Sequence, residues 1–115
     1  MNGKVKNILS GIEAEAKRIF GNKLVEIILF GSYARDTQES HSDLDIMVII
    51  DEDEENIRKY EDRFTDISFD ISLEHDIVPS IILKSRGQFI DYKDVLPFYM
   101  NVRNEGVKVY GRKAS

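Results

Sequence analysis

Asp43 and Asp45 flank Leu44 and open an apolar run, Ile46-Met47-Val48-Ile49-Ile50, that reads as a strand inside a sheet. Burying unpaired carboxylates at such a place costs several kcal/mol, roughly, unless a cation compensates. A metal ion is the simplest compensating group. Residues i and i+2 of a strand point the same way, so Asp43 and Asp45 share one face, with Cα atoms roughly 6 to 7 Å apart. Leu44, Ile46, Val48 and Ile50 take the other face. Two carboxylates at that spacing can reach one magnesium ion or bracket two, and hard oxygen ligands are what magnesium selects.

Gly31 and Ser32 supply the second half of the pattern. They end an earlier apolar run, Leu24 to Phe30, and if the connector Tyr33–Ser42 folds back, the two runs become antiparallel neighbours with these ends together. Glycine permits close backbone approach, amides opening a helical turn can accept phosphate oxygens, and the serine hydroxyl adds a donor. A phosphate held there, bridged by metal to Asp43 and Asp45, is the arrangement that moves a nucleotidyl group from a nucleoside triphosphate. Either half alone is commonplace: Gly-Ser ends many turns, and Asp-x-Asp begins many solvated strands. Their conjunction between two apolar strands is what points to chemistry.

The remaining elements follow from periodicity. Val5, Ile8, Leu9, Ile12, Ala16, Ile19 and Phe20 recur at helical spacing, with Gly21-Asn22 as the stop. Leu24–Phe30 and Leu44–Ile50 are strands, and Tyr33–Asp36 suits a short helical turn. Ile57, Tyr60, Phe64, Ile67 and Ile71 predict one long second helix, with the acidic run Asp51–Glu55 read as its solvated, dipole-favoured start. Ile77–Leu83 is a third strand, which Pro79 pushes toward an edge or a bulge. Pro97 opens a helix running to about Asn104, Gly106 stops it, and Val107 and Val109 alternate in a last strand. The expected fold class is α/β (α+β): a small mixed sheet with helices packed against it, in one domain spanning residues 1–115.

Composition narrows the function. Hydrophobic residues at 42% and charged residues at 32% suit a soluble globular protein, and no run approaches the ~20 apolar residues of a membrane span. The first residues mix charges into their apolar pattern, unlike a secretion signal, so a cytoplasmic location is expected. The absence of cysteine excludes disulfides, thiolate metal sites and a cysteine nucleophile. A net charge of -5 argues against broad electrostatic attraction to nucleic acid. His41 reads as a solvated loop histidine, His75 has no second histidine at ligand spacing, and Tyr33 and Tyr99 read as packing residues.

GSYAR followed by SDLD resembles the Gly-Ser-x-Ala-Arg … Ser-Asp-x-Asp signature of the DNA polymerase β-type nucleotidyltransferases, and of their smallest members, the minimal nucleotidyltransferases, over nearly the whole chain. The resemblance implies the polymerase β-like fold, Mg2+ with ATP or another nucleoside triphosphate, and Asp43 and Asp45 as catalytic metal ligands. It puts Gly31 and Ser32 at the triphosphate and matches Arg35 to the family arginine, for which a surface ion pair is the competing role. Two departures stand out. Asp36 occupies a position where the family usually has glycine, and the family's third carboxylate has no clear counterpart in IVPSIIL. Ser80 is expected in that vacant place, with Asp76 a solvated connector.

Minimal members are commonly encoded beside a helical HEPN-type protein. The pair resembles a toxin-antitoxin system in which AMP passes from ATP to a tyrosine of the toxin. The resemblance therefore implies a protein adenylyltransferase acting as antitoxin, in a homo- or hetero-oligomer. Two other readings stay open: a binding module that neutralises its partner without catalysis, and transfer to a small molecule such as an aminoglycoside with a partner chain completing the pocket.

Overall fold

The computed structural model describes residues 2–113, so the outermost ends of the expected 1–115 domain lie outside the described residues. The chain runs α1 (Gly3–Phe20), a 3-10 turn (Gly21–Lys23), β1 (Leu24–Phe30), α2 (Ser32–Arg35), β2 (Leu44–Ile50), α3 (Glu54–Arg58), α4 (Glu61–His75), β3 (Pro79–Ser85), α5 (Arg86–Tyr92), α6 (Pro97–Glu105) and β4 (Val107–Gly111). The four strands form one mixed sheet in the order β3-β2-β1-β4. β1 pairs antiparallel with both β2 and β4, while β2 and β3 are parallel, with α3 and α4 making the crossover between them.

Alternation along the strands divides the core in two. Ile27, Leu29, Leu44, Ile46, Val48 and Ile50 pack with the buried stripe of α1 (Val5, Ile8, Leu9, Ile12, Ala16, Phe20) and with Phe64 of α4. On the opposite face Ile28, Met47 and Ile49 pack with Tyr99 and Val102 of α6. β2 is buried from Ile46 to Ile50 because both of its faces are covered and both of its edges are paired. Asp45 shares the parity of Met47 and Ile49, so the carboxylate lies on the α6 side of the sheet.

Three expectations need correction. The long second helix is two helices, broken at Lys59-Tyr60, where the Tyr60 ring turns edge-on against Phe20 at 5.0 Å while Phe64 stacks on the same ring at 5.8 Å. The third strand is Pro79–Ser85 rather than Ile77–Leu83. Asp76 takes a left-handed conformation (φ 56°) that caps α4, its N–H bonding to the Ser72 carbonyl at 3.1 Å, and the residue pairing with β2 begins at Pro79, after the Val78 carbonyl has accepted the Leu44 N–H at 2.9 Å. Proline at the head of an edge strand loses no ladder bond, since its missing N–H is not required there. Finally, α5 has no counterpart among the expected elements. Ser85 caps it by accepting a hydrogen bond from the Gln88 N–H at 3.1 Å, and the pair has the Ser-x-x-Gln spacing of a capping box.

Candidate active site

Gly31 ends β1 with φ 75° and ψ -156°, a conformation open essentially to glycine alone. A Cβ placed there would clash outright with Asp45 Oδ2 and lie 3.1 Å from its Cγ, so the missing side chain is what admits the aspartate. The Gly31 carbonyl accepts the N–H groups of Ala34 and Arg35 at 3.1 and 3.2 Å, which winds Ser32–Arg35 into the single turn of α2. The amides of Ser32 and Tyr33 open that turn and fall outside its ladder. Asp36 closes it in the left-handed region (φ 58°), with its N–H bonded to the Ser32 carbonyl. The turn is thus preserved with aspartate in glycine's place. Short polar side chains tolerate this conformation better than most.

The connector does fold back. Phe30 pairs with Asp45 across the β1–β2 ladder, bringing Gly31 and Ser32 to the end of the sheet that carries Asp43 and Asp45. Asp43 is exposed and immediately precedes β2, while Asp45 is half-buried within it. Burial first, and then the negative charge of Asp43, push the Asp45 carboxyl above the usual carboxylate range, with Arg35 pulling the other way. Arg35 itself reaches Glu105 at the end of α6, Nη1 to Oε2 3.2 Å, with both side chains about half exposed. The arginine therefore stands between an ion pair and the acidic site, and both roles weighed for it are sterically open.

Ser80 is the β3 residue paired with Asp45 in the parallel register, half-buried on the same face. Asp76 lies three positions before β3 begins, at the cap of α4. Among the described residues no third aspartate, glutamate or histidine joins Asp43 and Asp45 as a metal-binding cluster. Two carboxylates suffice for magnesium when a substrate's phosphates supply further oxygens, and a half-buried carboxylate held against a second one is a donor set that a hard cation satisfies. The residues present fit the ion.

The other polar residues singled out by the sequence take structural or solvated places. His41 is exposed, and Ser42 Oγ accepts the Glu39 N–H at 2.8 Å within the connector. Tyr33 packs against the α1-side core, and Tyr99 is buried. The acidic run does more than solvate a helix start. Asp53 caps α3 through the Asn56 N–H, Glu54 accepts the Ser85 N–H at 3.1 Å, and Asp51 and Glu52 pair with Arg112 and Lys23. These long-range pairings carry no signal in the local pattern.

Such a sheet, with a glycine turn and two aspartates meeting at one end of adjacent strands, defines the class of polymerase β-like nucleotidyltransferases. Known proteins agree. The family model described as a nucleotidyltransferase domain matches residues 9–107, and the chain belongs to that family. A candidate protein adenylyltransferase of Methanocaldococcus jannaschii is 30% identical over 92% of this chain and 99% of its own length. A second from that organism is 32% identical over 82% of this chain and 86% of its own. A third is 49% identical over 45 residues, which is 39% of this chain and 31% of that relative. Among solved structures, a toxin-antitoxin complex with AMP-PNP superposes with a TM-score of 0.56 at 20% identity, covering 97% of this chain and 76% of that one. A mutant of the toxin-antitoxin pair MntA-HpeT gives 0.51 at 23%, covering 90% and 73%. These two likenesses establish the fold.

Proposed function

We propose that this chain is a magnesium-dependent protein adenylyltransferase that acts as an antitoxin, passing AMP from ATP to a tyrosine of a helical HEPN-type partner. The observation that carries the reading is the contact of Gly31 with Asp45, which supports a phosphate at the Gly31-Ser32 turn lying within reach of the carboxylates. Its further support is the relatives described as adenylyltransferases and the fold shared with toxin-antitoxin structures, one of them holding AMP-PNP.

In this reading the backbone of Ser32 and Tyr33 and the Ser32 hydroxyl hold the triphosphate. Asp43 and Asp45 would hold magnesium, which when bound offsets charge on the phosphates. The acceptor tyrosine oxygen attacks the α-phosphorus of ATP, the bond from that phosphorus to the bridging oxygen breaks, and pyrophosphate leaves with the electron pair. Asp43 and Asp45 would be engaged as ligands, and serine at position 80 does not accept the tyrosine proton at neutral pH. The proton therefore goes to a base on the partner or to solvent, and the chain alone is a slow catalyst.

Incubating the chain with ATP, magnesium and the product of a neighbouring gene, then weighing that product, tests this. Mass gains in whole AMP units are expected. Tight binding without mass gain would instead mean a neutralising module. The absence of a third carboxylate beside Asp45 among the described residues is the one observation favouring that second reading.

A further inference from the structure

The cations of this chain are not evenly spread. Where β1 begins and β2 and β4 end, a groove of about 820 Å³ opens beside Leu24 and Val25. Arg86, Lys108, Arg112 and Lys113 line it against a single carboxylate, Glu26, in a chain whose net charge is -5. The strand β1 separates it from Gly31 and the aspartate pair by roughly 20 Å, at about 3.3 Å per residue.

Two of the four cations are held in place. Arg112 donates through Nη1 to the Asn22 carbonyl at 2.9 Å and through Nη2 to Asp51 at 3.2 Å, and its backbone N–H bonds to the Val25 carbonyl at 2.9 Å. Lys108 lies 3.5 Å from Glu26. Arg86 and Lys113 have no carboxylate within ion-pair distance among the described residues, although the groove brings them together. A pre-positioned guanidinium flanked by two cations that pair with no carboxylate among the described residues suits a ligand with several negative charges, and guanidinium groups match phosphate geometry in particular. The groove falls within the ~300–1,000 Å³ typical of small-molecule sites.

We propose that this groove is a second binding site, for a phosphate-bearing small molecule, held by Arg86, Arg112 and Lys113 and independent of Asp43 and Asp45. It explains why positive charge collects at the end of the sheet remote from the proposed chemistry. The phosphates could belong to a nucleotide or to a free polyphosphate, and the groove's charge would recognise either.

Calorimetric titration with inorganic tripolyphosphate, in chelator and low salt, separates this site from the metal-dependent one. The wild-type chain and the Asp43→Asn/Asp45→Asn variant should bind it equally. Arg86→Glu/Lys113→Glu should bind at least about tenfold more weakly, with the AMP-transfer rate unchanged, since both side chains are exposed and stand outside the proposed active site. Repeating the titration with ATP in the Asp43→Asn/Asp45→Asn variant identifies the source: tighter binding than tripolyphosphate means the nucleoside is read too, and equal binding means the phosphate chain alone is recognised. No binding by the wild-type chain, undiminished binding by Arg86→Glu/Lys113→Glu, or loss of binding in the aspartate variant would each overturn the proposal. Failure of the adenylyltransferase reading would remove only the transfer-rate control and leave every binding outcome unaffected.

Discussion

Gly31 and Asp45 constrain one another. The glycine occupies a backbone region closed to side chains and also clears the space that Asp45 Oδ2 fills. Gly31→Ala should therefore destabilise the fold by about 1–3 kcal/mol from backbone strain alone, measurable by urea denaturation. Because the new methyl must displace Asp45, AMP transfer should fall further than the stability loss accounts for. Removing the charge at Asp45 has the opposite structural effect. Burial and Asp43 both disfavour its ionised form, so Asp45→Asn should leave the metal-free protein as stable as wild type or slightly more so at neutral pH. The same change, and Asp43→Asn, should abolish transfer with circular dichroism unaltered. Wild-type rates in the double asparagine variant would end the two-aspartate mechanism. Ser32→Ala should weaken ATP binding by only about 1 kcal/mol, since one neutral hydrogen bond is lost and the amides remain. Titration with ATP and magnesium measures it.

At the scale of the elements, β3 bears on the proposed transfer. Its register puts Ser80 beside Asp45, so Ser80→Asp would supply a carboxylate where a base could act, and transfer should rise by about tenfold or more if the strand tolerates the charge. Asp76→Asn should change little, because asparagine also accepts the left-handed cap position. If Asp76→Asn proves as damaging as Asp45→Asn, the pairing of Ser80 with Asp45 is wrong. Strands β1 and β2 are legible in the sequence to the residue, because each is a continuous apolar run closed by turn or polar residues, and the Gly-Ser and Asp-x-Asp pairs sit where those runs end and begin. The break between α3 and α4 is not legible, because Ile57, Tyr60 and Phe64 keep helical spacing across it and only the Phe20 ring, distant in sequence, shows why the chain turns. The Ser-x-x-Gln spacing at Ser85 and Gln88 is readable and marks α5, although the Ser85 N–H goes to Glu54 rather than to Gln88. The bounds of β3 differ from the apolar run because the paired residues start at Pro79: Val78 contributes only its carbonyl, which accepts the Leu44 N–H at 2.9 Å, and the cap at Asp76 sits just before it.

At the scale of the whole molecule, the polar seams tie chain ends to the middle. Lys23, ahead of β1, holds the Glu52 carboxylate, with the Asn56 amide and the Asp53 N–H adding to it, and together they keep its carboxyl down at about 2. A carboxyl held below its unfolded value contributes stability that is full above the unfolded range, near about 4.3, and is lost as pH falls toward the folded value. Glu52→Gln should therefore lower the thermal midpoint at pH 7, and the gap to wild type should close on acidification through that window. A gap that stays constant with pH would show that the seam acts through packing instead.

The sheet order β3-β2-β1-β4 also bears on motion. Both motif-bearing strands are interior, each hydrogen-bonded on two sides, so opening either one means breaking two ladders at once. Amide protons of Ile28, Leu29, Ile46 and Met47 should consequently be among the slowest in the chain to exchange with deuterated water, those of the edge strand β4 among the fastest in the sheet. Gly31, just past the end of β1, and Asp45, within β2, are therefore held in one register by this frame. The proposed transfer should accordingly need no closing movement of these two strands.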